Sequence, residues 1–496
     1  MAEIHFVDTT LRDGQQSLWS EHMRTGMMLS VADQMEAAGF DAIELISASH
    51  FKKCVRELRE NPWERIRLVA QRIKKTPLRV IGADKVNSME LTPDAVARLW
   101  LKLLVANGMR QMRISDPGND SALWRRYIDY ARSAGLEPIL NIIYSISPKH
   151  TDEYYATKAQ QAAKLEVPFI CLKDPGGLLT PERTRTLVKI ISEEVKSIPL
   201  EIHSHCTTGL GPLCYLEAVK MGVRILHTAI PPLANASSNP SIFNIVNNLN
   251  AMGYTSTIRE TDLKPVAKQL TFIAKREGLP IGLPVEYDYY QYLHQVPGGM
   301  ISNLRHQLGT VKMEDRIKDV LEETIRVRAE LGYPIMVTPF SQFVGTQAAI
   351  NVMLGERYKE VPDQTIQYVL GFWGEEVAAD VDPDIKDKIL SRPQAKDFLN
   401  WEPPQPSIRE LRSQLGGPGL SDEELVLRYI AGNDDVEEMK RAGLPKEYLS
   451  SSQPLVMLIQ ELAKKSGYKQ IHIQKKDMSL TLAKKNPGTS SRPAQD

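Results

Sequence analysis

The sequence predicts an α/β fold: a (β/α)8 TIM barrel followed by a mainly helical domain and a small C-terminal appendage. Three observations favour the barrel. Short apolar, β-branched segments alternate with helical periodicity through about the first 230 residues. Eight such segments occur, which is the number of strands that this barrel requires. Several helices stop at a glycine shortly before the next strand, as expected of an α/β repeat. A doubly wound parallel sheet is the alternative that the same alternation allows.

The predicted strands are short, and the intervals between them leave room for one helix each. They cover residues 4–10, 42–46, 78–84, 111–115, 137–145, 169–175, 200–205 and 225–230. Helical periodicity is clearest over residues 28–40, 95–109 and 213–223. The glycines that stand where a helix would stop are Gly39, Gly108, Gly135 and Gly222. Alternation of strands and helices in this way is typical of a parallel sheet.

The pattern changes near residue 260, after which helical periodicity dominates, as in residues 263–278 and 313–332. We therefore predict three parts: a barrel domain over residues 1–260, a helical domain over 261–450, and a small α/β appendage with a disordered tail over 451–496. The remaining segments are interpreted as a linker over 397–408, a helix over 454–467 and two strands over 469–474 and 479–485.

The composition is that of a globular chain with a large core, and it disfavours several classes of protein. Hydrophobic residues make up 42% of the chain and charged residues 25%, while 61 basic and 61 acidic residues cancel. A neutral chain is a poor candidate for broad nucleic-acid binding. The 4 cysteines are too few for a disulfide framework, which indicates a reducing compartment. Because we find no signal peptide and no long uncharged apolar run, we expect a cytoplasmic protein without a transmembrane segment.

Charged and polar residues stand at the ends of four predicted strands, where barrel enzymes carry their chemistry. Buried charges are costly unless they are paired or bind a metal, so these residues are candidates for an active site. They are Arg12, Asp13 and Gln16 after the first strand, Arg113 and Asp116 at the fourth, Lys173 and Asp174 in the sixth, and His203 and His205 in the seventh.

The histidines of the seventh strand form the strongest local signal. On a strand, residues two apart point the same way, so His203 and His205 can reach one metal ion. Neutral imidazole suits Zn, Co or Mn, and a carboxylate such as Asp13 would complete an open site of the catalytic type. The alternative is that the two histidines simply belong to a polar loop.

Lys173 is an unusual neighbour for a metal, because its ammonium group would repel the ion. Burial can lower the pKa of a lysine and leave the amine neutral. A neutral amine can react with CO2 to give a carbamate, whose oxygen can bind a metal. The alternative is an ordinary ion pair with Asp174, and the residues alone favour neither interpretation.

Several motifs, in order along the chain, resemble those of one family. They are DTTLRDGQQSL (8–18), NPWER (61–65), YSISPKHT (144–151), CLKDPGGLLTP (171–181), HSHCTTG (203–209), PGGMISNL (297–304), VTPFSQFVGTQAAINVMLGERY (337–358) and LSDEELVLRYIAG (420–432). The chain resembles the carboxyltransferase component of biotin-dependent pyruvate-type enzymes. That group includes pyruvate carboxylase, the oxaloacetate decarboxylase alpha chain and the transcarboxylase 5S subunit. The resemblance extends from residue 4 to about residue 485.

The resemblance implies a role for each candidate residue. The metal ligands would be Asp13, Lys173, His203 and His205, with Lys173 carbamylated. The 2-oxo acid and its enolate would be held by Arg12 and Arg113, with Gln16 hydrogen-bonding in the same pocket. The family places a Thr-Ser-Gln segment after the eighth strand, where the threonine moves a proton.

The chain departs from the family at that segment and in two turns. Ser237, Ser238 and Asn239 stand where the family has Thr-Ser-Gln. Serine keeps a hydroxyl, so Ser237 is the implied proton-transferring residue, and Ser237 and Ser238 are the implied biotin contacts. The turns 116–118 (Asp-Pro-Gly) and 175–177 (Pro-Gly-Gly) also differ from the commoner family versions and are expected to reshape the pocket.

Members with a built-in biotin carrier have an Ala-Met-Lys-Met motif, which does not occur in this sequence, nor does a biotin carboxylase half. The expected function is therefore carboxyl transfer between biotin on a separate carrier protein and a 2-oxo acid, with pyruvate or oxaloacetate as the expected substrate. A biotin carboxylase subunit and further copies of this chain are the other expected partners. The alternatives are an HMG-CoA-lyase-like aldol or Claisen enzyme and a non-catalytic scaffold of a carboxylase complex.

Overall fold

A computed structural model describes residues 2–87, 89–297, 300, 301, 304, 308, 309, 312–448, 462, 470–475 and 478–483. The chain forms two compact units, Met1–Lys446 and Glu447–Asp496. The division at residues 260 and 261 predicted from the sequence lies inside the first unit and stays a prediction.

The first unit contains a closed barrel of eight parallel strands. The strands are β1 (Glu3–Asp8), β2 (Ala42–Ser47), β3 (Leu78–Gly82), β4 (Gln111–Ile114), β5 (Glu137–Ile143), β6 (Phe169–Asp174), β7 (Leu200–Ser204) and β8 (Ile225–Thr228). Each strand pairs in parallel with the next, and β1 pairs with both β8 and β2. The eight predicted strands and the barrel are therefore confirmed, and this closure excludes the doubly wound sheet.

A ninth short strand, β9 (Thr255–Ser256), pairs in parallel with the start of β1 outside the barrel. Glu3 pairs with Thr255 and Ile4 with Ser256. The sequence analysis did not predict it, because two residues are too few to show a periodicity.

Helices follow the strands around the barrel. They are Gln15–Trp19, Thr25–Leu29, Ala32–Ala37, Ala48–Lys53, Pro62–Arg72, Asp94–Ala106, Ser121–Ala134, Asp152–Ala163, Pro181–Val195, Gly211–Lys220 and Ile242–Ala251, with π-helical turns at Thr10–Gly14 and Cys54–Leu58. The helix predicted over 28–40 is two helices, because Val31 leaves the helical conformation with a φ of −128°. The four predicted glycine stops all have positive φ.

Helices also dominate the chain after the barrel. They are Glu260–Glu277, Tyr290–His294, Ile317–Glu330, Phe340–Leu354, Asp363–Val369, Glu375–Ala378, Pro383–Leu390, Pro393–Leu399, Ile408–Leu415, Asp422–Ala431 and Asn433–Ala442, with a 3₁₀ turn at Glu314–Arg316. The predicted helices over 263–278 and 313–332 are confirmed. The predicted linker begins inside the end of Pro393–Leu399, and residues 400–407 that follow form neither helix nor strand.

The second unit contains an antiparallel pair of strands, β10 (Gln470–Lys475) and β11 (Met478–Ala483). They match the two strands predicted for the appendage. The helix predicted over 454–467, residue 462 apart, and the predicted disordered tail lie outside the described residues. Among the helices that the structure describes, none combines the length and the apolarity needed to cross a membrane.

Candidate active site

The loop after β1 brings two candidate residues into the mouth of the barrel. The Asp8 carboxylate accepts hydrogen bonds from the Thr10 backbone N–H at 3.0 Å and from the Thr10 hydroxyl at 2.5 Å. These contacts hold the π-helical turn Thr10–Gly14 at the end of the strand. Arg12 and Asp13 lie in this turn and are each 4% exposed. The loop therefore presents a cation and an anion to the barrel interior instead of to solvent.

Asp13 meets the two histidines of β7. Its Oδ2 atom lies 2.9 Å from His203 Nε2 and 3.3 Å from His205 Nε2. One donor atom from each residue lies within 4.8 Å of the other two. The spacing of two residues on the strand and the turn after β1 thus bring one carboxylate and two imidazoles to a common point, as the sequence analysis expected.

The protonation of this group suits a divalent metal. His205 Nδ1 lies 2.6 Å from the backbone oxygen of Ser237, which can only accept, so Nδ1 carries a proton and Nε2 is the nitrogen left to bind a metal. Burial alone would raise the pKa of Asp13, but the charges around it, that of the Arg12 guanidinium foremost, outweigh burial and hold that pKa well below its usual range. An ionised carboxylate and imidazole nitrogens are suitable ligands for Zn, Mn or Co.

Lys173 lies beside this group, in register with His203 on the neighbouring strand. It is 6% exposed, and its Nζ donates to the Ser115 hydroxyl at 3.1 Å. Burial, with the nearby charges of Arg113 and Arg12, lowers the pKa of Lys173 to about 7. A substantial fraction of this amine is therefore neutral near neutral pH.

Asp174 occupies the other face of β6. Its carboxylate accepts from the backbone N–H groups of Leu178 and Leu179 at 2.8 and 2.9 Å, and from the Ser204 hydroxyl at 2.8 Å. Asp174 thus holds the loop that follows β6. The ion pair between Lys173 and Asp174, which the sequence left open, is not formed, because adjacent strand residues point to opposite faces.

Glu44, a residue that the sequence analysis missed, holds both candidate substrate-binding arginines. Arg12 donates to Glu44 Oε2 through Nη2 at 2.6 Å and through Nε at 3.0 Å. Arg113 donates to Glu44 Oε1 through Nε at 2.6 Å. Gln16 Oε1 accepts from Arg12 Nη1 at 3.3 Å. The sequence contains one signal for Glu44, since it is an acidic residue in the middle of the apolar run 42–46.

The loop after β8 brings Ser237 and Ser238 close to the histidines. The hydroxyls of the two serines make different contacts. Ser237 is partly buried, and its hydroxyl donates to the Ser17 backbone oxygen at 3.0 Å. Ser238 is fully buried, and its hydroxyl donates to the Leu233 backbone oxygen at 2.7 Å. Ser237 is therefore partly accessible, whereas Ser238 stabilises the loop.

The turns 116–118 and 175–177 lie in different surroundings, and the second packs against His205. Asp116 accepts from the Asp120 backbone N–H at 2.8 Å, and burial raises the pKa of Asp116 to about 7. Gly177 has a φ of +64°, and an added Cβ would lie 2.7 Å from the His205 backbone oxygen. Only glycine permits this approach, so the Pro-Gly-Gly turn sets how closely the loop after β6 lies against His205.

Two family descriptions match the chain. The family described as HMGL-like matches residues 3–270, and the family described as the conserved carboxylase domain matches residues 292–454. The barrel and its polar mouth therefore define an HMGL-like barrel followed by a carboxylase-type helical segment.

Curated relatives share most of this length. A pyruvate carboxylase subunit from Methanocaldococcus jannaschii is 38% identical over 90% of this chain and 80% of its own. The methylmalonyl-CoA carboxyltransferase 5S subunit from Propionibacterium freudenreichii is 30% identical over 87% of this chain and 84% of its own. The chain belongs to the family of carboxyltransferase components that contains these proteins.

A solved structure shows the same fold. The carboxyl transferase domain from Rhizobium etli pyruvate carboxylase, with oxamate and biotin, superposes with a TM-score of 0.80. The match covers 89% of this chain and 78% of that chain at 23% sequence identity.

Proposed function

We propose that this chain is a metal-dependent carboxyltransferase subunit that moves a carboxyl group between carboxybiotin, carried on another polypeptide, and a 2-oxo acid. The observation that carries the proposal is the convergence of Asp13, His203 and His205 beside a partly neutral lysine, Lys173. Membership of a family that contains a pyruvate carboxylase subunit supports the reaction class.

The metal would be held by Asp13 and by the Nε2 atoms of His203 and His205. Lys173 fits the fourth position as a carbamate, because a neutral amine can attack CO2 and the product adds an oxygen ligand. Zn, Mn and Co all suit this set of ligands. When bound, the ion supplies Lewis-acid polarisation and fixes the geometry of the pocket.

Arg12 and Arg113 would bind the substrate carboxylate and the oxygen that becomes negative in the enolate. Preorganised donors of this kind stabilise charge as it develops, without reorganisation during the reaction. Gln16, within 3.3 Å of Arg12, would orient the guanidinium and donate its amide N–H to the same oxygen.

The balance of charge favours a substrate with a single carboxylate. The two arginines are offset by Glu44 and Asp13, so these four side chains together are neutral. A divalent ion and a Lys173 carbamate would leave one excess positive charge. Pyruvate carries one negative charge and 2-oxoglutarate two, so pyruvate is the better match. A relative from Hydrogenobacter thermophilus is named as a 2-oxoglutarate carboxylase large subunit. Turnover of pyruvate should therefore be compared with turnover of 2-oxoglutarate.

Ser237 would carry the proton in the transfer step. The C–N bond of carboxybiotin breaks and releases CO2, and the biotin nitrogen takes a proton from the Ser237 hydroxyl. The hydroxyl takes its proton from the pyruvate methyl group, and the enolate carbon then forms the new C–C bond with CO2. The hydroxyl must first leave the Ser17 backbone oxygen, a single rotation about χ1. Ser238 as a second biotin contact stays a prediction, and it requires the loop to open.

The proposed partners are a biotin carrier and a biotin carboxylase subunit, because two relatives that match most of this chain are named as subunits. Association of the chain with further copies of itself and a cytoplasmic location are also proposed. The same pocket can run in either direction, so carboxylation and decarboxylation are both expected.

The decisive experiment measures two properties of the purified chain. Elemental analysis should find about one divalent metal per chain, and oxaloacetate decarboxylation should depend on added biotin or a biotinylated carrier. Equal turnover with and without biotin, or cleavage of acyl-CoA substrates without it, would contradict carboxyl transfer and support the HMGL-like lyase alternative. A stable chain that neither binds metal nor turns over would support the scaffold alternative.

A further inference from the structure

A row of buried, hydrogen-bonded polar side chains lies behind His203, on the side away from Asp13. It runs from Arg79 on β3 through Glu201 on β7 to His227 on β8, and then to His203. All four side chains are at most 2% exposed. Barrel interiors are usually filled by branched apolar side chains, so a polar chain of this length needs a function or a strong structural reason.

The contacts in the chain are short and directed. Arg79 Nη1 and Nη2 donate to Glu201 Oε2 and Oε1 at 2.8 and 3.0 Å. Glu201 Oε2 also lies 2.8 Å from His227 Nε2. His227 Nδ1 lies 3.1 Å from His203 Nδ1. This row of contacts therefore connects the bidentate Arg79–Glu201 ion pair to Nδ1 of His203, the nitrogen that does not face Asp13.

These contacts determine the position of each proton. Glu201, paired with Arg79, is a carboxylate and can only accept, so His227 Nε2 carries a proton. A neutral imidazole has one N–H, which leaves His227 Nδ1 as an acceptor. With a metal bound between Nε2 and Asp13, Nε2 of His203 is the ligand atom, so Nδ1 of His203 carries the proton and donates to His227.

Asn239 contacts the same ring from the other side. Its Nδ2 atom donates to the Ser204 backbone oxygen at 2.9 Å, which fixes the orientation of the amide. The same nitrogen lies 3.4 Å from His203 Nε2, so the amide also limits how far the ring can turn.

We propose that Glu201, acting through His227, is a positioning residue that fixes the tautomer and orientation of His203 and so sets the metal affinity of the site. The inference rests on the proposed metal site. It differs from the arrangement usual behind a metal-binding histidine, in which the outer partner is a carboxylate, a backbone carbonyl or water.

A second metal ion is the competing explanation for this cluster, because donor atoms of Cys171, Glu201 and His227 lie within 4.8 Å of one another. The geometry disfavours it. Both oxygens of Glu201 already accept from Arg79, and an ion there would lie against a guanidinium cation. The cluster therefore serves the site in front of His203 instead of binding an ion itself.

The test compares metal affinity and the ¹⁵N shifts of His203 in full-length variants. In Glu201→Gln, either orientation of the amide directs an N–H group at a donor of Arg79, so the bidentate pair cannot form and His227 is held less firmly against His203. Competition of the metal-free protein with a chelator for Zn²⁺ should show about 10–100-fold weaker binding. The ¹⁵N shifts of the selectively labelled His203 ring in the Zn²⁺-loaded protein should show a weaker Nδ1–H hydrogen bond than in the original protein.

Two further variants separate positioning from folding. Glu60→Gln is the matched control, because Glu60 is also a buried carboxylate bound to an arginine, Arg65, at 3.0 Å. It should keep the affinity of the original chain. His227→Gln interrupts the row of contacts to His203 but leaves the Arg79–Glu201 ion pair. It is the variant to measure if Glu201→Gln does not fold. The double variant Glu201→Gln/His227→Gln should bind Zn²⁺ no more weakly than the single variant with the lower affinity, because the two residues act in series.

The outcomes distinguish the inference from the proposed function. Folded Glu201→Gln and His227→Gln proteins with unchanged affinity and unchanged ¹⁵N shifts of His203 would overturn the inference while leaving the metal site intact. A chain that binds no metal before mutation would contradict the proposed function. A change in the ¹⁵N shifts of His203 between the metal-free original protein and Glu201→Gln would still show that Glu201 acts on this ring. Two Zn²⁺ ions per chain, one of them lost in Glu201→Gln, would favour the second-metal explanation and overturn the inference.

Discussion

The mouth of the barrel and the core of the helical segment bury side chains of opposite kinds. At the mouth, Asp13, Lys173 and Glu44 are almost completely buried, together with two arginines. In the helical segment, the buried cluster is aliphatic and aromatic, and Phe343 packs edge-on against Trp373 with ring centroids 5.0 Å apart. Both regions exclude water, but the first uses that exclusion to strengthen charge interactions and the second to bury apolar surface.

The difference shows which property each region controls. A buried charge depends on its partners, so a change at the mouth leaves another charge unpaired and alters chemistry. A buried ring depends on contact with its neighbours, so a change in the helical core leaves a cavity and lowers stability. Substitutions in the two regions should therefore separate activity from the free energy of unfolding.

The largest effect is expected from His203→Ala. This variant lacks one imidazole of the proposed metal site, so bound metal and carboxyl transfer should both fall to background, as elemental analysis and a turnover assay would show. His5→Ala is the control, because His5 lies at the start of β1, at the far end of the barrel, and pairs with Asp41. Normal metal content in His203→Ala would show that the polar mouth is not a metal site.

Ser237→Ala should reduce turnover by about 10²–10⁴-fold, the usual contribution of general acid–base catalysis. Metal content should not change, because the Ser237 backbone oxygen that contacts His205 remains. Ser237→Thr should retain activity, since it keeps the hydroxyl. If Ser238→Ala loses turnover and Ser237→Ala does not, Ser238 moves the proton. If both variants stay active, the loop after β8 does not perform this step.

Trp373→Ala tests the apolar region. Removing a fully buried tryptophan should lower the free energy of unfolding by about 3–5 kcal/mol, measured by denaturant titration. The metal content of the folded fraction should stay normal. Trp373→Phe is the matched control: it keeps a ring against Phe343 and removes an indole N–H that has no hydrogen-bond partner among the residues that the structure describes. Loss of metal from folded Trp373→Ala would mean that the two regions are not independent.

The smallest effect is expected at a helix end that belongs to neither region. Ser407 and Glu410 form a capping box at the start of Ile408–Leu415. Ser407→Ala should cost about 0.5–2 kcal/mol, visible as faster amide hydrogen exchange in that helix, with unchanged turnover. Ser413→Ala, inside the same helix, should be neutral or slightly stabilising, because alanine is the better helix former. Equal exchange in the two variants would show that the cap does not stabilise the helix.

The sequence by itself determined the local features of this protein. The eight strands, the glycines that end helices and the shared orientation of His203 and His205 follow from periodicity and backbone preference within a few residues. The helix predicted over 28–40 was only partly right, because a change of backbone conformation at Val31 leaves the apolar pattern intact.

The tertiary structure alone decided which buried groups meet. Glu44 joins Arg113 across 69 residues of sequence, and Arg79 joins Glu201 across 122. Lys173 contacts Ser115, the residue that follows β4, instead of the adjacent Asp174. Such contacts depend on which strands become neighbours when the barrel closes, and on which face each side chain occupies. Local propensity carries no information about either, because the free energy of these contacts arises only when distant strands exclude water together.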